Sequence, residues 1–187
     1  MFRFCPSCAS RKINFEKGKV FRCPDCGFVY YHNTAAATGC VISVPERDGG
    51  ARIMFLVRSR DPAKGKLDLP GGFVDPDEGA LEGLYREILE ETGWTPDIPP
   101  GAPLTDFFRL FASFPNIYPY KNIAYNTCDL FFSLSAPGLT GEALRLEADE
   151  IAGVRFLRPE EINLDDLAFA STRRAIQAYL KQQLSLP

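Results

Sequence analysis

From Gly72 to Trp94 the chain reads Gly72-Phe-Val-Asp-Pro-Asp-Glu78-Gly-Ala-Leu-Glu-Gly-Leu-Tyr-Arg86-Glu87-Ile88-Leu-Glu90-Glu91-Thr-Gly93-Trp94. Leu81, Leu84, Tyr85 and Ile88 recur at helical spacing, so Gly79 to Thr92 is expected to form an amphipathic helix. Gly93 supplies the left-handed residue that commonly ends one. On that helix Glu87, Glu90 and Glu91 fall within an arc of about 100°. Carboxylates so placed repel, by a few tenths of a kcal/mol for an exposed i,i+4 pair. A divalent cation reverses the sign. Hard oxygen donors suit magnesium or manganese, and magnesium keeps waters and reaches substrate phosphates. The alternative is a solvated acidic face on which Arg86 and Glu87 form an ordinary surface pair. Gly71 and Gly72, just before the helix, let backbone approach a ligand closely, so a backbone carbonyl there can join the metal sphere. Gly83, inside the helix, costs about 1 kcal/mol relative to alanine, and nothing in the sequence explains it.

The segment resembles the Nudix box, G-x5-E-x7-R-E-U-x-E-E-x-G-U, where U is bulky and apolar. Gly72, Glu78, Arg86, Glu87, Ile88, Glu90, Glu91, Gly93 and Trp94 match every fixed position. The resemblance implies an α+β Nudix fold, a mixed β-sheet sandwiched between α-helices, over residues 34–187. It implies a magnesium-dependent (or manganese-dependent) hydrolase acting on a nucleoside diphosphate linked to another moiety. Glu87, Glu90 and Glu91, with Gly72, would hold the metal. Glu78 would be a further ligand or support, and Arg86 would orient a box glutamate. Family members often place an additional ligand or base before a later strand. Glu147 and Glu150 occupy such a place, and Glu150 is the favoured general base.

Residues 1–33 differ from the rest. Cys5-Pro-Ser-Cys8 and Cys23-Pro-Asp-Cys26 are two Cys-x2-Cys pairs joined by a run that reads as a hairpin turning near Gly18. Four thiolates at this spacing complete a tetrahedral zinc site and leave no open coordination position, so the zinc is expected to be structural. The module looks like a zinc ribbon. Arg3, Arg11, Lys12, Lys17, Lys19 and Arg22 outnumber Glu16 and Asp25 there. Packing or dimerisation is its favoured role, which makes a homodimer the expected assembly; RNA contact is the alternative.

Downstream, β-branched and apolar runs at Thr38–Val44, Arg52–Ser59, Asp106–Phe114, Ile123–Leu134 and Gly153–Leu157 read as strands. Leu67–Val74 reads as a short extended run and Leu164–Leu184 as a terminal helix with Asp165 or Asp166 near its start. Cys40 and Cys128 are expected to be buried, inert thiols. A net charge of −3 argues against a whole-protein electrostatic grip on nucleic acid. With neither a membrane-length apolar run nor a signal-like N-terminus, a cytoplasmic protein without membrane association is expected.

A ribbon joined to a Nudix domain is similar to the NADH pyrophosphatase group, which carries Ser-Gln-Pro-Trp-Pro-Phe-Pro after its box. Here the region reads Ala112-Ser-Phe114-Pro-Asn-Ile-Tyr118-Pro-Tyr120, without the Gln and Trp. ADP-ribose, a nucleotide sugar or a dinucleotide cofactor such as NAD(H) therefore stand as candidate small-molecule substrates. Removal of a nucleotide cap from RNA and ligand sensing without catalysis are the alternatives. Phe114, Tyr118 and Tyr120 are candidate stacking residues for a base. Arg58, with Arg60, Lys64 and Lys66, precedes the Gly-Gly loop and is a candidate phosphate contact.

Overall fold

The computed structural model describes residues 2–184. The chain divides into two compact units, Met1–Thr34 and Ala35–Pro187. Met1 and the last three residues of the second expected domain, 185–187, lie outside the described residues.

The first unit is a three-stranded antiparallel sheet: β1 (Asn14–Glu16), β2 (Val20–Arg22) and β3 (Val29–Tyr31), in that order. The first turn places Lys17 and Gly18 at φ 48° and 69°. Its apolar centre consists of Phe21, Cys5 and Cys23, flanked by the half-buried Ile13, Phe15 and Phe28. So small a core cannot hold this many residues by burial alone, which leaves the cysteine cluster as the fastening.

The second unit is built on a six-stranded mixed sheet. Its strands are β4 (Ala35–Pro45), β5 (Ala51–Arg58), β6 (Leu67–Asp68), β7 (Arg109–Tyr120), β8 (Ile123–Ser135) and β9 (Ile151–Leu157). The order is β6-β5-β4-β8-β7, with β9 paired to β5. β4 and β8 run parallel; the other pairs are antiparallel. Alternation along the strands splits the core in two. Cys40, Ile42, Val44, Met54, Phe132 and Leu134 face Leu84 and Ile88 of helix α1 (Ala80–Thr92). Val41, Ile53, Phe55 and Phe131 face Ala175, Ile176 and Tyr179 of helix α2 (Ala170–Gln183). The result is the mixed sheet sandwiched between helices that the box implies.

The sequence reading is corrected at the terminal helix, at β7 and at Cys128. The terminal helix starts at Ala170, not Leu164, because residues 164–166 form a separate 3-10 turn capped by Asn163, whose side chain accepts from the Asp165 N–H at 3.1 Å. The chain then stays extended: Leu167, fully buried, bridges to Leu67, and the Ala168 N–H donates to the Leu67 carbonyl. β7 starts at Arg109 after a 3-10 turn at Leu104–Asp106 and runs on through Pro115 and Pro119, which an edge strand tolerates. Cys40 is buried, but Cys128 is exposed: it lies towards the start of β8, outside the apolar cluster that Phe132 and Leu134 join on the same face.

The Gly-Gly loop is tied to β4. The Thr38 N–H donates to the Gly72 carbonyl at 2.8 Å, Cys40 N–H to Pro70 at 2.9 Å and Val74 N–H to Ala36 at 3.1 Å. Gly71 has φ +140°, and a Cβ there would lie 2.2 Å from the Thr38 carbonyl oxygen. Gly71→Ala is therefore expected to destabilise the protein by about 3 kcal/mol, read as a lower denaturant midpoint. An unchanged midpoint would mean the loop is not held as described.

Candidate active site

Helix α1 presents its acids beside this loop. It begins at Gly79, whose N–H donates to the Glu82 carboxylate at 2.7 Å. It ends at Gly93, φ 61°, whose N–H reaches the Leu89 carbonyl. Arg86 organises the outer acids. Its guanidinium donates to Glu78 at 2.6 and 2.9 Å, to Glu87 and Glu90 at 3.0 Å each, and to the Phe73 carbonyl at 3.1 Å. Arg86 accordingly lowers the Glu78 pKa below the usual carboxylate range. Glu91 instead accepts from the Gly71 N–H at 2.9 Å.

Two glycines leave room for box carboxylates. A Cβ on Gly72 would sit 2.5 Å from a Glu87 carboxylate oxygen. One on Gly83 would sit 2.9 Å from a Glu78 oxygen, which accounts for a glycine inside the helix.

Burial pushes the Glu87 pKa up, and pushes Glu91 well up, with other carboxylates adding to both. Glu91 has one amide donor and no cationic partner among the interactions described. Such a group is costly to ionise alone. A divalent cation supplies the missing charge, so the donor set fits one. The box carboxylates are not gathered as tightly as the cysteines: among described residues only the cysteine set places three or more potential ligand atoms within 4.8 Å of one another. That wider spread suits a cation that retains waters between itself and some ligands.

A cleft of about 550 Å³ opens on this face. Glu87, Glu90, Glu91, Gly72, Glu150, Arg58 and Tyr118 line it. Glu78 and Arg86 stand behind it, acting through the ion pairs above. Glu150 is partly buried and ion-paired with Arg60; both border the cleft, as does Glu147. The Gly72 carbonyl already accepts from the Thr38 N–H at 2.8 Å and, at 3.4 Å, from the Thr38 hydroxyl. Phe114 and Tyr120 are not among the lining residues. Phe114 stacks under Arg174, 4.2 Å from its guanidinium, and Tyr120 is exposed beside Lys121. Lys64 and Lys66 also lie outside, with Lys66 donating to the Asp165 carbonyl at 3.0 Å.

The sequence reading missed the cleft's other wall. Asp68, Thr127, Asp129, Phe131, Phe169 and Thr172 line it. Asp68 accepts from the Thr172 hydroxyl at 2.9 Å and from Arg58 at 3.3 Å, and burial pushes its pKa up to about 6. Asp129 is 8% exposed and accepts from the Ser171 hydroxyl at 2.6 Å through one oxygen. Its other oxygen and the Thr127 hydroxyl are buried without a partner. Each such group costs about 1–3 kcal/mol. The available signal was an Asp within the apolar strand Thr127-Cys-Asp129-Leu-Phe-Phe, at a position that alternation turns inward.

In the first unit Cys5 and Cys26 place their sulfurs 3.6 Å apart, as do Cys8 and Cys23, and all four lie within 4.8 Å. A tetrahedron with zinc–sulfur bonds of about 2.3 Å has edges of about 3.8 Å, so the set fits zinc. Without a metal the four thiols share their protons: the Phe28 backbone N–H and the other sulfurs lower Cys26, while the sulfurs around Cys8 raise that thiol.

The fold and site define a Nudix domain preceded by a four-cysteine ribbon. The chain belongs to the NUDIX domain family, whose model matches residues 34–179. It is similar to an ADP-ribose pyrophosphatase of Methanocaldococcus jannaschii, 39% identical over 70 residues, which is 37% of this chain and 38% of that protein. It is also similar to the NAD-capped RNA hydrolase NudC of Chromobacterium violaceum, 35% identical over 91 residues, 49% of this chain and 32% of that one. The matches thus span about a third of the length of these curated relatives. Among solved structures, a NUDIX hydrolase from Nitrosomonas europaea aligns over 98% of this chain and 93% of its own, with TM-score 0.63 and 21% identity. The NUDIX domain of Shewanella oneidensis NrtR, complexed with ADP ribose, aligns over 81% of this chain and 90% of its own, with TM-score 0.61 and 17% identity. At these identities the structural likeness concerns the fold. No helix among the described residues is long and apolar enough to cross a membrane.

Proposed function

We propose that the chain hydrolyses the diphosphate bond of a nucleoside diphosphate linked to another moiety, giving a nucleoside monophosphate and a phosphorylated moiety. The observation that carries this reading is the convergence of Glu87, Glu90 and Glu91 with Arg58, Tyr118 and Phe169 on one cleft. Magnesium or manganese held by the three glutamates would neutralise the diphosphate and lower the pKa of an attacking water. The protein's own part is positioning. Arg86 fixes Glu87 and Glu90, and the Gly71 amide fixes Glu91. Glu150 borders the cleft and takes the proton of the attacking water as general base, its carboxylate oriented by Arg60. Tyr118 and Phe169, with ring centroids 5.5 Å apart, offer faces to a planar ring. Zinc in the ribbon is structural, since thiolates fill its coordination.

The family membership and the relative named ADP-ribose pyrophosphatase support this class of substrate. A second reading, with the linked moiety being the 5′ end of an RNA, draws on the relative named NAD-capped RNA hydrolase. It also draws on the ribbon's basic surface, where Arg11 stacks 5.4 Å over Phe4. A panel of nucleoside diphosphate derivatives, incubated with magnesium and resolved by mass, tests the first reading. Cleavage between the two phosphates is expected. Intact diphosphates across the panel, with magnesium and with manganese, would overturn it.

A further inference from the structure

The wall of the cleft away from the box glutamates is built from acceptors. Thr127, Asp129 and Phe131 alternate along β8 on the α2 side of the sheet, and all three line the cleft. The Ser171 hydroxyl proton is given to Asp129 and the Thr172 hydroxyl proton to Asp68. The nearby cation, Arg58, is engaged by Asp68, by the Pro62 carbonyl at 2.7 Å and by the face of Phe169 at 5.1 Å. Two carboxylates against one guanidinium leave this wall net negative. The free Asp129 oxygen and the Thr127 hydroxyl have no partner and are out of contact with bulk solvent. The free Asp129 oxygen can only accept, so a group that seats against it must bring a hydrogen-bond donor; the Thr127 hydroxyl can accept a second one, and an anion meets an unfavourable surface. Beside it Phe73, Tyr118 and Phe169 line the same cleft, with the Tyr118 ring 5.5 Å from each of the other two. Aromatic walls suit a flat ring.

We infer that Asp129 and Thr127 form a specificity subsite that reads the N–H donor edge of a planar heterocycle carried by the substrate, an amino- or amide-bearing ring, and selects against its oxo or carboxylate counterpart. The inference rests on the hydrolase reading and names the recognised end of that substrate. Asp129 and Thr127 touch the ring and take no part in the bond cleaved at the glutamate end.

The test uses two matched pairs of diphosphate-linked dinucleotides on the full chain: adenine against hypoxanthine, and pyridine carboxamide against pyridine carboxylate. The wild type is expected to favour the amino or amide member of at least one pair in kcat/KM by about 10- to 100-fold, the worth of one hydrogen bond to a charged acceptor. Asp129→Asn, which offers an amide in place of one acceptor, should bring that ratio to within about 3-fold of unity. Thr127→Val keeps the shape and should lower the same ratio several-fold, with a thermal melt no lower than the wild type because it removes an unpartnered hydroxyl. No preference in either pair, or a preference untouched by both variants, overturns the subsite.

Calorimetric titration of the same four compounds without metal separates recognition from catalysis. Binding preference dependent on Asp129, without turnover, keeps the subsite and sinks the hydrolase reading. Turnover without such a preference does the reverse, and absence of both binding and turnover sinks both.

Discussion

Glu91→Gln is expected to lower turnover of the cleaved diphosphate by about 10³-fold while raising thermal stability of the metal-free protein by about 1 kcal/mol. The two effects have one cause. Glu91 is partly buried beside other carboxylates: desolvation is the largest influence on its pKa, and Glu87, Asp68 and Glu150 push in the same direction. The folded protein therefore disfavours its charge when no cation is bound. Glutamine keeps the volume and an acceptor for the Gly71 N–H, but removes that charge. The same charge is what a divalent cation needs. Steady-state kinetics with magnesium and a calorimetric melt without it read both halves. A variant that keeps wild-type turnover would remove Glu91 from the cation-binding set. A variant that loses turnover and melts lower would mean the site is held together by the carboxylate, contrary to the account above.

Removing zinc from the ribbon is the second large effect. The purified chain is expected to carry one zinc, and stripping it with a chelator should unfold the first unit. The binding energy of a structural zinc is of the order of 10 kcal/mol or more, and in a unit of this size it is folding energy. The reason is visible in the core: Phe21, Cys5 and Cys23 are its buried residues, and two of the three are cysteines that would hold the metal. Cys23→Ser should act like the chelator, because it removes both a ligand and a core side chain. Zinc stoichiometry and amide NMR signals from residues 2–34 measure the outcome. A ribbon whose signals stay dispersed after zinc is gone would show that its three strands stand without the metal.

The ribbon and the box were both legible in the chain because their chemistry is local. Two Cys-x2-Cys turns and a helix with Glu87, Glu90 and Glu91 on one arc define their geometry within a few residues, where helical pitch or a tight turn sets the spacing. Of the candidate substrate contacts, Arg58 and Tyr118 line the cleft, whereas Phe114 and Tyr120 do not, although all three aromatics come from one strand. The three share one face of β7, and it is their different positions along this edge strand that put Tyr118 at the cleft, Phe114 under Arg174 and Tyr120 beside Lys121 at the strand end.

What the sequence by itself determined was therefore the set of groups whose partners lie close along the chain: the four thiolates, the acidic arc and the glycine that ends the helix. Only the tertiary structure decided the rest. Gly83 has its reason in Glu78, the Gly72 Cα hydrogens face Glu87, and Asp129 meets Ser171 across 42 positions. Contacts of this kind depend on which strands pair and which face each residue takes. A shift of one residue in register reverses the face, and no local pattern records which partner waits on the other side.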